Sequence, residues 1–427
     1  MKSVAIATLG CKTNQFESAA MLEQFTRSGY RVVPFSEPAD IYVINSCTVT
    51  ARTDAETRRL IRRARRLNPA ARIVATGCYA QVSPQELSRM PEVDVVLGNR
   101  EKLDSTLLTD ASEDMVKDAG QATGGALLHL TSFAEHTRAF LQVQNGCDSF
   151  CSYCIVPYAR GRSRSVSPAE VLEGVRRLVD SGFREVVLTG IHLGAYGLDL
   201  SPGESLACLV ERILEETSLE RLRIGSLEPN EFDDRLISLF SRSPRVCHHF
   251  HIPLQSGCDS VLTLMGRPYD AAYLRSLLER VIAAMPDSFL GSDIIAGFPG
   301  ESDREFQTTC TLVEQLPLAD LHVFPYSLRP GTRAASLPGH LPPAVIRDRA
   351  ARLRNIAASK KELFLQRAVG GDILVLGQQF DPVSRTVRGL SRNYIQAQFP
   401  GTAADVNLEQ ALTVVEIREG RALCRRR

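Results

Sequence analysis

Three cysteines fall within the stretch Gly146-Cys147-Asp148-Ser149-Phe150-Cys151-Ser152-Tyr153-Cys154, just after the strand-like run 140–144. The C-x3-C-x2-C spacing lets all three thiolates point into one loop, so the chain around it has to fold about a common centre. Thiolates are soft ligands, and iron–sulfur clusters are their usual occupants. A local set of three leaves one iron of a cubane cluster without a protein ligand, and an open metal position is where substrates bind. Ordinary core cysteines would not sit beside polar Asp148, Ser149 and Ser152. A structural zinc site with His136 as fourth ligand needs a closed tetrahedral set, and the local sequence has no second C-x2-C or H-x3-H.

With the aromatic Tyr153 before its last cysteine, this stretch resembles the cluster motif of the radical S-adenosylmethionine (SAM) enzymes. The continuation Ile155-Val156-Pro157-Tyr158-Ala159-Arg160-Gly161 resembles their methylthiotransferase branch. The resemblance implies SAM bound to the open iron through its amine and carboxylate, and reductive cleavage to a 5′-deoxyadenosyl radical. It also implies a one-electron donor such as flavodoxin or ferredoxin.

A length of 427 residues predicts about three domains. Lys+Arg 50 against Asp+Glu 49 leaves no global basic field, so a nucleic-acid partner would be met by local patches. No apolar run approaches a membrane span. Residues 1–9 are too short for a signal-peptide core, and Thr8 spoils a lipoprotein reading of Leu9-Gly10-Cys11. Eleven cysteines without an export signal point to a reducing cytoplasm, where thiolates serve metals rather than disulfides.

Over residues 1–100, apolar strands at 4–9, 41–45, 73–76 and 93–97 alternate with helical runs at 17–28, 54–67 and 84–89. Thr53-x-x-Glu56 and Ser83-x-x-Glu86 read as capping boxes. Such alternation predicts a parallel, doubly wound sheet. Cys11, Cys47 and Cys78 each lie one or two residues past a strand, and these strand ends share one edge of the sheet. A second metal site follows, against the alternative of three scattered thiols. The stretches Leu9–Ser18, 44–50 and 75–81 resemble the three cysteine motifs of the methylthiotransferase amino-terminal domain. That resemblance implies an auxiliary 4Fe–4S cluster on Cys11, Cys47 and Cys78.

Arg58, Arg59, Arg62, Arg63, Arg65 and Arg66 cover a helix with only a narrow apolar stripe of Leu60, Ala64 and Leu67. It is either a solvated face or a track for a phosphate backbone; beside an RNA substrate the second is favoured, with Arg58, Arg62, Arg63 and Arg66 as contacts. Residues 101–132 read as a linker, with Gly120, Gly124 and Gly125.

From 140 to 326 six strands are expected, at 140–144, 185–189, 221–226, 249–254, 289–296 and 321–326. Ser167-Pro168-Ala169-Glu170 and Ser302-x-x-Glu305 are helix starts. Six repeats fit an incomplete (β/α)6 barrel with its chemistry at the carboxyl ends of the strands. Polar turns there outline a SAM pocket, resembling the family's SAM-binding turns, with Tyr153, Thr189, Gly190, Ser226, Glu228, Gln255 and Asp293 as candidates. His192 and His251 suit a core as well as a site. Arg160, Arg162 and Arg164 either close the cluster loop on carbonyls or meet an anionic substrate; the second is preferred, with Arg160 and Arg162 as RNA contacts.

Residues 342–367 read as a charged helix, followed by five short strands. Their spacing suggests an oligonucleotide-binding-type barrel, and the resemblance places a TRAM domain there. Cys208, Cys247, Cys258, Cys310 and Cys424 fit no ligand spacing.

The expected organisation is α/β and multidomain. It has a doubly wound parallel-sheet domain at 1–100, a linker at 101–132, a radical SAM core at 133–364 and a TRAM-like barrel at 365–427. The resemblance implies two 4Fe–4S clusters, SAM, and insertion of a methylthio group. Lys12-Thr13-Asn14-Gln15-Phe16-Glu17-Ser18 resembles the branch acting on carbon 2 of N6-threonylcarbamoyladenosine at position 37 of tRNA. Two sister branches act on N6-isopentenyladenosine of tRNA and on an aspartate of a small-subunit ribosomal protein. They typically carry Gln-Met-Asn and Pro-Lys-Asn there. A non-catalytic, metal-scaffolded RNA-binding protein predicts closed zinc sites instead, which the polar barrel rim opposes. A radical SAM enzyme of other chemistry, with an electron-relay cluster, would leave tRNA untouched.

Overall fold

The computed structural model describes residues 1–121 and 137–426. The amino-terminal sheet comprises β1 (Ser3–Thr8), β2 (Arg31–Val32), β3 (Ile41–Ser46), β4 (Arg72–Gly77) and β5 (Val95–Val96), all parallel in the order β2-β1-β3-β4-β5. Alternate residues bury opposite faces. Ala5, Ile44, Ile73 and Ala75 pack with Ile61 of the helix Ala51–Leu67 on one side. Val4, Val43 and Val74 pack with Met21 and Phe25 of the helix Lys12–Arg27 on the other. Both faces of a parallel sheet are thereby covered. The strand Arg31–Val32 gave no periodic signal because it is two residues long and exposed.

Helix starts differ from the sequence reading. The first helix opens at Lys12, directly after Cys11, rather than at 17. Thr50, not Thr53, caps the second, and Thr53 returns the bond as the third residue of the box. Ser83 makes no side-chain cap, and the Glu86 carboxylate accepts from the Tyr79 hydroxyl instead of closing a box. The starts at Ser167 and Ser302 form as expected.

Residues 101–121 are not an open linker. A short helix, Ser105–Asp110, is capped by the Asp104 carboxylate, which accepts from Thr106 N at 2.9 Å. Met115 bridges to Leu97, and buried Lys102 reaches Glu17 at 2.7 Å. Gly124, Gly125 and His136 lie outside the described residues.

Six parallel strands follow: Arg138–Gln142, Glu185–Thr189, Arg221–Ile224, His249–His251, Phe289–Ala296 and Asp320–Pro325. They pair as two three-stranded sheets. Bonds from Cys247 N to Leu222 O (2.8 Å) and Leu227 N to His251 O (3.0 Å) join these into one open barrel. Val186, Leu188, Leu222, Ile224, Leu290 and Ile294 turn outward into the main core. The period of two therefore turns Arg138, Glu185, Arg221, Arg223, His249, His251 and Asp293 inward. Phe16 and Ala20 of the helix Lys12–Arg27 join this same core, so one helix is shared by the first sheet and the barrel.

After the helix Pro343–Gln366, the strands Asp372–Asp381, Thr386–Ser391, Gln396–Pro400, Arg421–Arg426 and Glu409–Arg418 close a small barrel in that order. It caps the amino-terminal end of the six-stranded barrel. Arg221 donates to Leu390 O (3.1 Å) and Arg223 to Ser391 O (3.2 Å) and Arg392 O (3.0 Å). Tyr394 stacks on His249 with ring centroids 3.9 Å apart. Among the described residues no helix is long and apolar enough to cross a membrane.

Candidate metal centres and the pocket between them

Cys11, Cys47 and Cys78 follow β1, β3 and β4, three neighbours in the sheet, and so meet at its carboxyl edge. The approach is close. Gly10 has φ +99°, and a Cβ there would lie 2.9 Å from Cys47 Sγ. Gly77, at φ +92°, would bring one within 2.5 Å of Ser46 N. Only glycine serves both turns. Arg160 Nε donates to Cys78 Sγ at 3.4 Å, while its guanidinium is held by Glu17 and Asn14. Burial, then the neighbouring Cys78 thiol, pushes Cys47 up to about 12. Such a thiol stays protonated until a metal ion displaces the proton.

In the second set, Cys154 N bonds Cys151 O at 2.9 Å, and Cys147 N bonds Gly161 O at 3.0 Å. Phe150 takes φ +44° to turn the loop. Arg267 donates to Cys151 Sγ at 3.2 Å and to the Glu228 carboxylate. His192 Nδ1 lies 3.5 Å from Cys147 Sγ, and its Nε2 lies 2.5 Å from Glu231 Oε1. Burial opposes charge on His192, but Cys147 and Glu231 outweigh it and raise the imidazole to about 10. Burial, together with the other two thiols, pushes Cys154 up to about 12. All six cysteines are free of disulfides. Each set is a group of thiols with cationic groups on its sulfurs, Arg160 on Cys78 in the first and Arg267 and His192 on Cys151 and Cys147 in the second, a chemistry that fits an anionic thiolate-ligated cluster.

The barrel rim collects the other candidates. Thr189 is buried, and Gly190 gives way to the Gln144 side chain, whose Oε1 accepts from His192 N at 2.7 Å. Ser226 is exposed and bridges to His251. Gln255 sits at φ +68°, its N–H on Asp293 O at 2.8 Å. The Asp293 carboxylate lies 2.9 Å from His251 and 3.4 Å from His322. Burial opposes its charge, yet these two imidazoles hold it at about 2. Tyr153 packs beside Val261, Met265 and Phe298, behind the cluster loop.

The arginines sort differently from expectation. Arg160 is buried in its Glu17 pair and cannot reach RNA. Arg164 donates to the carbonyls of Arg162 and Arg160, closing the loop, so the substrate reading fails for it too. Arg58 is bonded to Tyr79. Arg62 and Arg66 are exposed, Arg63 is half-buried, and Arg162 is exposed beside Asp148 at 3.2 Å. Arg267 and Glu231 were not foreseen. No local motif marks them, because each meets its cysteine or histidine only through the barrel's closure.

The family model of the Uncharacterized protein family UPF0004 matches residues 3–98, and that of the Radical SAM superfamily matches 141–313. A threonylcarbamoyladenosine tRNA methylthiotransferase of Aquifex aeolicus is 37% identical, over 93% of this chain and 97% of its own length. The Bacillus subtilis protein of that name is 40% identical, over 83% and 80%. A tRNA-2-methylthio-N(6)-dimethylallyladenosine synthase of Moorella thermoacetica is 32% identical, over 99% and 96%. Among solved structures, the radical SAM methyltransferase TsrM of Kitasatospora setae aligns with a TM-score of 0.54 at 15% identity, covering 78% of this chain and 77% of that one. This last likeness concerns the fold alone. The chain belongs to the radical SAM methylthiotransferase family.

Proposed function

We propose that this protein adds a methylthio group to carbon 2 of N6-threonylcarbamoyladenosine at position 37 of tRNA. The observation that carries the reading is the pair of cysteine triads, one at the carboxyl edge of the amino-terminal sheet and one in the loop after the barrel's first strand, linked by Arg160, which follows the second triad and donates to Cys78 of the first. The relatives named threonylcarbamoyladenosine tRNA methylthiotransferases support the nucleoside. Cys11, Cys47 and Cys78 would hold one 4Fe–4S cluster, and Cys147, Cys151 and Cys154 the other. When bound, the clusters and SAM supply the one-electron chemistry, the methyl group and the sulfur.

The chain's own residues prepare the site. Arg160 and Arg267 each place a positive donor on a cysteine sulfur. Gly190, Ser226, Gln255 and Asp293 leave room and hydrogen-bonding groups for the ribose and amino-acid portions of SAM, with Thr189 buried beneath them. Glu228 anchors Arg267, and Tyr153 backs the cluster loop. The region 1–100 serves the auxiliary site, 133–364 the radical core, and 365–427 tRNA binding as a TRAM-like barrel. An electron donor such as flavodoxin or ferredoxin completes the system, which works in the cytoplasm.

Mass spectrometry of tRNA nucleosides from cells lacking the gene, and from cells carrying Cys151→Ala, tests the reading. Both should lose 2-methylthio-N6-threonylcarbamoyladenosine and accumulate its unmethylthiolated precursor. Loss of the isopentenyl counterpart instead would replace the substrate. Exposed Arg62 and Arg66 are proposed phosphate contacts. Their double replacement by glutamine should weaken tRNA binding at low salt and lower the salt slope by about one per lost contact, as read by titration at several salt concentrations.

A further inference from the structure

The turn that follows the last barrel strand, Asp320–Pro325, is bonded to the loops of both cysteine sets. On one side, Ser327 Oγ accepts from Ala51 N at 3.0 Å, satisfying a free N–H in the first turn of the helix Ala51–Leu67. Two residues on, Arg329 donates to Asp54 Oδ2 at 2.6 Å and to Thr48 Oγ1 at 3.0 Å. Thr48 directly follows Cys47 and donates to Asp54 Oδ1 at 2.7 Å, so the three side chains close a ring at the Cys47 turn. All three are buried. On the other side, Arg333 donates to Phe150 O at 3.0 Å and Ala334 N to Ser152 O at 2.7 Å, the two carbonyls that flank Cys151. Between the two sets of contacts the turn is closed on itself. Thr332 Oγ1 donates to Arg329 O at 2.7 Å, and Gly331 takes φ +84°.

A buried ion pair adds little net stability, because desolvation offsets its attraction, but its charge-assisted bonds have fixed directions. The helix of Asp54 does not need Arg329 to start, since Thr50 and Thr53 already close its capping box. Arg160 reaches the first cysteine set at Cys78, and Arg329 reaches it at the Cys47 turn. We propose that Arg329 is a positioning residue. Through Thr48 and Asp54 it locks the Cys47 turn to the loop of Cys151, so that the two cysteine sets keep one relative placement. This rests on the methylthio transfer proposed above. SAM cleavage calls on the barrel's own cysteine set, whereas transfer calls on both sets in register. Loosening the turn should therefore leave SAM cleavage intact and lower the yield of methylthiolated nucleoside per 5′-deoxyadenosine formed. Arg329 touches no reacting atom and is not a catalytic residue.

The test compares cluster-reconstituted, full-length wild type with an Arg329→Met, Asp54→Asn double variant and with Ser327→Ala. The double variant removes both charges, so neither is left buried alone, and the asparagine still accepts from Thr48. Hydrogen–deuterium exchange over residues 46–54, the Ala51 amide included, should quicken roughly tenfold in the double variant, while exchange over the strand Glu185–Thr189 stays as in the wild type. The substrate is an anticodon stem-loop RNA carrying N6-threonylcarbamoyladenosine. Formation of 5′-deoxyadenosine should stay within about twofold of the wild type, and product per 5′-deoxyadenosine should fall roughly tenfold to a hundredfold, at an unchanged KM for the RNA. Ser327→Ala should move exchange and product ratio in the same directions by a smaller factor, and it decides by that ratio should the double variant fail to fold. In a folded variant, parallel loss of cleavage and product, or an unchanged ratio, overturns the positioning role. A wild type that cleaves SAM and methylthiolates nothing would sink the proposed reaction instead. Exchange over 46–54 then decides for the turn, quickened exchange upholding the lock and unchanged exchange overturning it.

Discussion

Cys78→Ala and Cys151→Ala are expected to fail in different ways. Each should bind about half the iron of the wild type after reconstitution, since metal affinity here requires the thiolate set. Cys151→Ala should form no 5′-deoxyadenosine from SAM and no methylthiolated nucleoside. Cys78→Ala should retain 5′-deoxyadenosine formation and lose only the nucleoside product. The separation follows from position. Cys78 stands at the end of β4 against Arg160, whereas Cys151 stands in the barrel loop against Arg267, and the two sets share no residue. Cys208→Ser serves as the control, because that half-exposed thiol, on the helix Leu206–Glu216, donates to the Gly203 carbonyl at 3.4 Å and accepts from Arg235 at 3.3 Å. Parallel loss of SAM cleavage and product in both variants would refute the division into two centres.

Glu185→Gln should destabilise the protein by about 3–5 kcal/mol, the usual cost of removing one partner from a buried ion pair. Glu185 has no exposed surface and meets Arg221 Nε at 2.8 Å and Arg223 Nε at 2.7 Å, both equally buried. The same guanidiniums hold the carbonyls of Leu390, Ser391 and Arg392, so removing the Glu185 charge, which leaves Arg221 only Glu409 and Arg223 no carboxylate among the described residues, loosens the terminal barrel from its seat. Burial pushes the Glu185 carboxyl upward, but Arg223, Arg221 and Arg138 outweigh it and hold it at about 2, against an ordinary 4.5. A depressed folded-state pKa contributes stability above pH 4.5, and that contribution fades as the pH falls toward 2. Urea melts at pH 7 and at successively lower pH should therefore show the two proteins converging through that window. Faster proteolysis ahead of Asp372 should accompany the substitution. A deficit below about 1 kcal/mol at pH 7, or one that does not change with acid, would contradict this account.

Much of the frame was legible because it rests on local periodicity. The strands Glu185–Thr189 and Phe289–Ala296 coincide with their apolar runs, and the five terminal strands lie near their predicted places. The cap at Thr50 and the helix start at Lys12 were misjudged by a few residues, since a turn shaped by a neighbouring strand decides which hydroxyl faces the free N–H groups. The two cysteine sets were visible for a similar reason. One is a single loop, and the other lies at strand ends that any parallel sheet aligns.

The sequence by itself determined where thiols stand relative to strands and which face of each strand is apolar, because side-chain direction repeats every two residues along β structure and every 3.6 along a helix. Only the tertiary structure decided what the charged groups do. Arg160 reads as a surface arginine next to a loop, yet it is buried against Glu17, 143 residues earlier in the chain. Arg267 finds Cys151 across 116 residues. The helix that opens at Lys12 is shared between the sheet and the barrel because its Phe16 and Ala20 pack in the main core. A long, flexible charged side chain has no periodic preference for inside or outside. Its partner is chosen by which elements the packed core brings within a few ångströms.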